Sequence, residues 1–328
     1  FGYDTRSVFC ASKQENYLLL EDILREVCEL FPSEYIHVGG DEVDMSQWQH
    51  CPDCKALMAE NHMSSAAELQ QYFMLRLADI LAKYGKRPAV WNEAIDGGKL
   101  SSTTRVYGWE GIKECRASAA EGYSTVVMPG QYFYFDMKQS SREPGHDWAA
   151  IFDWSKVYGF SPQVVGFTPE EEDNILGLEA SFFSELYASH EPERADYLHY
   201  MTFPRMVAFA EIAWVDSDER DADMFYVRMV SHYDRLDAMG VAYRLTPPVV
   251  KYENSVLSAS TDDGSDLFYT FELDGVVVEH EYTEPIETHT PARYAFVSRR
   301  CKAISPISAY PRHFKTMTPA FNITSSMS

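Results

Sequence analysis

Apolar residues recur at helical spacing across residues 12–31, where Leu20, Leu24, Val27 and Phe31 share a face and Pro32 follows as a stop. Ser12 and Glu15 stand at capping-box spacing and predict the helix start there. A short alternating run, YIHVG (35–39), predicts a strand. A second capping-box pair, Ser65 and Glu68, opens a helix that buries Leu69, Phe73, Leu77 and Ile80 and ends at Gly85. Strand patterns follow at 87–93 (RPAVWNE), 104–110 (TRVYGWE), 123–129 (YSTVVMP) and 175–183 (ILGLEASFF). A long aromatic loop region, residues 131–168, separates the last two. Helical patterns then cover 193–214, interrupted at Pro204, and 221–238, closed by Gly240.

Strand–helix alternation predicts parallel strands joined by crossover helices. Five strands are legible, and a closed barrel needs eight. The expected fold class is therefore α/β, a (β/α)8 TIM-type barrel with three strands absent from its N-terminal side. The start at Phe1, with no initiator Met and no signal-like segment, fits a truncated chain. An open doubly wound sheet is the alternative, weakened by the lack of a glycine-rich phosphate loop. After TPPVV (246–250) the helical patterns give way to short alternating runs with turn residues. The expected organisation is a catalytic domain over 1–248 and a small β-sandwich-like domain over 249–328. Asn322-Ile323-Thr324 fits a glycosylation acceptor, a triplet common by chance.

A net charge of −22 argues against nucleic acid or an anionic membrane as partner, because phosphate binding needs clustered Lys and Arg. A neutral sugar is indifferent to that field. No run is long and apolar enough for a membrane span. Cys51-Pro52-Asp53-Cys54 has the spacing of half a zinc site, with His50 and His62 nearby. No second pair accompanies it, so a surface turn or a stray disulfide is favoured over the alternative of a structural zinc, with no metal and no cofactor expected.

The candidate chemistry lies in YIHVGGDEVD (35–44). Adjacent acids are common in a chain with 50 Asp and Glu, and Glu171-Glu172, Asp218-Glu219 and Asp262-Asp263 read as solvated surface. Asp41-Glu42 differs by context, because catalytic groups of a barrel sit where strands end. Gly39 and Gly40 let the backbone turn close to a ligand. Two carboxylates so close resist ionising together, so one pKa is expected to rise and the other to stay low. Such a split supplies a protonated acid and an ionised partner, as glycosidic bond cleavage requires.

Across residues 1–248 the motifs resemble, in order, those of the β-N-acetylhexosaminidases of glycoside hydrolase family 20. ELFPSEYIHVGGDE resembles the run into the catalytic strand; VWNEA, YGWEG, YFYFD and GLEASFFSE resemble the later strand ends and site loop. FPRMVAFAEIAW and LDAMGVAYRLTPP resemble the last helix and the barrel exit. The resemblance implies substrate-assisted retaining catalysis, outside the two-carboxylate scheme, in which the acetamido oxygen attacks its own anomeric carbon. It implies Glu42 as general acid and base, and Asp41 as the ionised group that accepts the acetamido N–H. Tyr134 would aim the acetamido oxygen, Trp91 and Trp109 would wall its pocket, and Asp136 and Glu185 would bind sugar hydroxyls.

His37 reads as a positioning or core histidine near Asp41, and Glu93 as a residue that serves to place Trp91. Phe183 stands where the family usually has Trp, leaving an apolar platform without an indole N–H, and Asn92 stands in place of the usual Asp. The family's first three strands, with an arginine that grips sugar hydroxyls, have no counterpart here. The implied substrates are glycans bearing terminal β-linked N-acetylglucosamine or N-acetylgalactosamine, and the implied compartment is secreted, periplasmic or lysosomal. The unpaired sheet edges call for a preceding segment or a partner chain, as in a homo-oligomer. A non-catalytic sugar-binding or inactive truncated barrel is the competing reading. A chitinase-type barrel is disfavoured by the lack of an Asp-x-x-Asp-x-Asp-x-Glu run.

Overall fold

A computed structural model of the chain describes residues 8–187, 194–273 and 275–310; the Asn322 triplet lies outside the described residues. The chain divides into two compact units, one running to Gly130 and including Pro162–Glu179, the other comprising Gln131–Ser161 and the chain from Ala180.

The first unit begins with α1 (Gln14–Leu30), whose helix runs into extended backbone at Phe31 before Pro32. Lys13, not Ser12, occupies the N-cap, and no side chain caps the helix. Ser12 lies 3.1 Å from the Cys10 sulfur instead, so the expected capping box does not form. Then come β1 (Tyr35–His37), α2 (Ser46–His50), α3 (Pro52–Glu60) and α4 (Ala66–Lys83). At α4 the predicted cap is present, with the Ser65 hydroxyl accepting from Glu68 N–H at 3.2 Å. Strands β2 (Arg87–Trp91), β3 (Arg105–Gly108), β4 (Ser124–Val127) and β5 (Ile175–Leu178) complete the unit, with α5 (Ile112–Ala120) crossing between β3 and β4.

All five strands are parallel, in the order β1-β2-β3-β4-β5. Sequential order without reversal is the arrangement of barrel strands, whereas a doubly wound sheet reverses at a switch point. Ile36, Val90 and Val106 meet Met74, Leu77, Ile80 and Leu81 of α4 in one apolar cluster, with Tyr17 and Leu24 of α1. Burying this face of α4 fixes the sheet end that carries Asp41 and Glu42. Cys51 and Cys54 are not in a surface turn: Cys51 precedes Pro52 at the start of α3, and Cys54 is fully buried. Neither forms a disulfide.

The second unit carries α6 (Arg194–Thr202), α7 (Arg205–Trp214) and α8 (Ala222–Ala238), with Pro204 between the first two. The fully buried Arg205 guanidinium donates to the carbonyls of Phe135 (2.5 Å), Met137 (2.9 Å), Phe152 (3.4 Å) and Met201. Those bonds pin the loop before the helices to the start of α7. Glu143 and Arg244 form a buried bidentate pair at 2.6 and 3.0 Å, and Tyr200 donates to the same carboxylate at 2.6 Å.

Strands β6 (Val249–Glu253), β7 (Val256–Ser260), β8 (Asp266–Leu273), β9 (Val276–Glu281), β10 (Ile286–Glu287), β11 (Tyr294–Arg300), β12 (Ala303–Ile304) and β13 (Ser308–Ala309) follow. They form two antiparallel sheets, β10-β7-β6 and β12-β11-β8-β9, with β13 also on β11. These strands cluster with α6–α8 in one unit rather than as a unit of their own.

Candidate active site

The ladder of β1 continues for two residues past the strand: Val38 N–H donates to Ala89 O at 2.9 Å, and Gly39 O accepts from Trp91 N–H at 3.0 Å. The backbone then turns through left-handed conformations, φ +78° at Gly39 and +104° at Gly40. A Cβ on Gly40 would stand 2.7 Å from that of Ala94, so only glycine permits the approach. The buried Gln70 amide holds the turn by donating to Gly40 O at 2.7 Å. Glu42 itself has φ +48°, an uncommon conformation for a residue with a side chain, and must be held there by its surroundings.

Glu93 is what holds it. One of its oxygens accepts Glu42 N–H at 3.1 Å, and the other accepts the Trp109 indole N–H at 2.8 Å. The sequence reading had Glu93 placing Trp91; it instead ties Trp109 to the acid turn. Asn92, beside it and buried, accepts Trp109 N–H through its oxygen at 3.1 Å and donates through its nitrogen to Glu110 at 2.5 Å. An amide can do both at once, whereas an ionised Asp could only accept.

His37 packs against Trp91 (4.5 Å between ring centroids) and Tyr107 (5.1 Å), and those two rings meet edge-on at 6.0 Å. Its Nδ1 accepts Gly39 N–H at 3.1 Å, which requires a neutral ring with the proton on Nε2. Burial lowers the His37 pKa to about 4, in the same direction, although the residue keeps a solvent-facing edge. His37 therefore positions the turn. Tyr107 was not foreseen; only its place next to Gly108-Trp109 at a strand end pointed to it.

Partial desolvation raises the Asp41 carboxyl although the residue remains exposed; its own backbone N–H works against that, and the charge of Glu42 adds to the rise. The resemblance implies Asp41 as the member that acts ionised. Glu93 is likewise raised by burial, while the hydrogen bonds from its own backbone, Trp109 and Glu42 oppose the rise.

In the second unit Tyr134 is buried and bridges in parallel to Ser181, with its ring 5.1 Å from Phe183 and 5.8 Å from Trp148. Asp136 is also buried; its Oδ1 has no hydrogen-bond partner among the described residues, and burial raises its pKa against bonds from its own backbone and that of Phe183. Phe183 is 41% exposed, an open apolar face over Tyr134, and Glu185 is exposed in the turn after it. Trp148, unforeseen because it lies in a stretch without periodicity, is 56% exposed beside the same tyrosine.

Removing the Glu93 brace strands two donors. Glu93→Ala is expected to lower unfolding free energy by about 1–3 kcal/mol in urea titration, with Glu93→Gln recovering part of it through one acceptor oxygen. An alanine variant as stable as the parent would show that the brace is idle. For His37, nitrogen-detected NMR is expected to show Nδ1 unprotonated from neutral pH down to about 4, with the ring gaining its charge only below that. Protonation near pH 6.5 would overturn the acceptor assignment.

Residues 2–217 match the family model "Glycosyl hydrolase family 20, catalytic domain". A beta-hexosaminidase of Porphyromonas gingivalis is 32% identical over 291 residues, 87% of this chain and 36% of that protein. One from Vibrio furnissii is 34% identical over 63% of this chain and 34% of its own length. The crystal structure of a GH20 exo β-N-acetylglucosaminidase from Vibrio harveyi, in complex with N-acetylglucosamine, superposes with a TM-score of 0.65 at 33% identity. It covers 73% of this chain and 37% of that one. The chain thus spans about a third of the length of these relatives. With the acid turn and its glycines inside the matched residues 2–217, the chain belongs to glycosyl hydrolase family 20.

Proposed function

We propose that the protein is an exo-β-N-acetylhexosaminidase that removes terminal β-linked N-acetylglucosamine or N-acetylgalactosamine with retention of configuration. The observation that carries this reading is the Asp41–Glu42 turn at the carboxyl end of β1, held open by two glycines and fixed by Glu93. In the first step Glu42 gives its proton to the glycosidic oxygen as the C1–O bond breaks, while the substrate's acetamido oxygen bonds to C1. Asp41 accepts the acetamido N–H and offsets the positive charge that develops on the forming oxazolinium ring. In the second step the Glu42 carboxylate takes a proton from water, whose oxygen bonds to C1 as the ring reopens.

Trp91, Trp109 and Tyr107 offer an aromatic wall suited to a methyl group, with Glu93 fixing the indole of Trp109. Tyr134 is assigned to the acetamido oxygen, and Phe183 to an apolar sugar face. Asp136 and Glu185 are assigned to hydroxyls; the unpartnered Oδ1 of Asp136 supports the first of these.

Kinetics in the full-length protein test the roles. Glu42→Gln is expected to abolish turnover of substrates whose leaving group needs protonation, and retained turnover would refute its role. Asp41→Asn is expected to cost about 10²–10³ in kcat, as loss of a charge-stabilising group does. Because Asp41 acts ionised, the rate is expected to rise with pH through its pKa, which partial desolvation raises. That acid limb is expected to vanish in Asp41→Asn, and an unchanged limb would assign it to another group.

A further inference from the structure

We propose that Cys10, Cys51 and Cys54 form a zinc site that ties the segment before α1 to the loop leaving the acid pair. The three sulfurs lie within 4.8 Å of one another, Cys10 being 3.8 Å from Cys51 and 3.5 Å from Cys54. Zinc–thiolate bonds of about 2.3 Å at tetrahedral angles set sulfur separations of roughly 3.8 Å. The protein holds the three sulfurs near that spacing from two remote stretches, 41 and 44 residues apart.

Local structure explains how. Pro52 starts α3 immediately after Cys51, so that Cys51 and Cys54 bracket the first turn of a helix and present both sulfurs to one side. Cys10 is brought to them by the turn before α1, where Tyr17 donates to Ala11 O at 2.6 Å and Trp48 to Phe9 O at 2.8 Å. The Ser12 hydroxyl lies 3.1 Å from Cys10 Sγ. Donors aimed at sulfur are what a thiolate set needs in its surroundings. Trp48, Leu69 and Ala11, with Val8, Leu57 and Met58, pack around the cluster and keep Cys54 from solvent.

The donor set selects the ion. Among the described residues no carboxylate belongs to the cluster, which disfavours calcium, magnesium and manganese, and iron–sulfur clusters take four ligands. Three thiolates suit zinc, with solvent in the fourth tetrahedral position. A disulfide would use two sulfurs and leave the third unpaired.

Such a site fastens both ends of a long chain segment that includes β1 and the acid turn, which lowers the entropy of the unfolded chain. Metal analysis of the full chain, purified under reducing conditions without added metal, is expected to find about one zinc per chain. Zinc content is expected to fall by about tenfold or more in Cys51→Ser and in Cys54→Ser, and to stay unchanged in Cys28→Ser and Cys301→Ser. Exchange with cobalt(II) is expected to give thiolate-to-cobalt charge-transfer absorption with tetrahedral ligand-field bands. A parent chain that carries no zinc and gives no such spectrum would overturn the site whether or not the variants fold. So would copper in place of zinc, or a native disulfide between any two of the three in non-reducing peptide mapping.

Discussion

The carboxylate of Glu93 makes two hydrogen bonds on which the arrangement around the acid turn depends. One goes to the backbone of Glu42, a residue held at positive φ; the other goes to the indole of Trp109, at the end of another strand. A residue with a side chain in the left-handed region costs of order 1–2 kcal/mol, so that conformation persists only where its surroundings over-determine it. Here they do so from three sides: Glu93 on the amide of Glu42, Gln70 on the carbonyl of Gly40, and His37 on the amide of Gly39. Of the three, the bond from the buried Gln70 is the one that water replaces least freely.

The same constraint explains the spacing of the motifs. Parallel strands in sequential order bring the ends of β1, β2 and β3 side by side, so residues 41–42, 91–93 and 107–109 become neighbours although the chain separates them widely. The ladder then extends beyond the formal strands, through Val38–Ala89 and Gly39–Trp91, which carries the sheet's rigidity into the turn. Gly40 is needed because Ala94 lies against it. The packing that makes Ala94 small makes Gly40 smaller.

Much of this was legible in the sequence, and what was not has physical causes. The five strands and the long helices follow hydrophobic periodicity, a local signal, and they appear where the apolar spacing puts them. Asp41 and Glu42 were legible because two glycines at a strand end mark a backbone that must turn. The partnership of Glu93 with Trp109 was not, because a carboxylate's partner depends on register between strands rather than on spacing along one. Asn92 reads as a departure in sequence and as a fit in structure, since its amide serves one donor and one acceptor that a carboxylate cannot. Ser12 illustrates the reverse error: capping-box spacing is necessary for the motif, but the hydroxyl was claimed by a nearby sulfur. The nearness of Cys10 to Cys51 and Cys54 was not legible either, because the fold rather than spacing along the chain brings the three sulfurs together.

The charge state of the acid pair is where burial and proximity pull against each other. Proximity alone raises whichever carboxyl is harder to ionise and says nothing about which one that is. At Asp41, which stays exposed, partial desolvation is the larger cause of the rise and the charge of Glu42 adds to it. A desolvated carboxylate is costly on its own but interacts strongly with an N–H or a developing cation placed beside it, since little water competes. An acid whose task is to offset charge that appears during the reaction gains from that setting, because the interaction is larger in the charged transition state than before it. In the proposed mechanism that is the setting of Asp41: the partial desolvation that raises its carboxyl also strengthens its hold on a complementary charge that forms beside it.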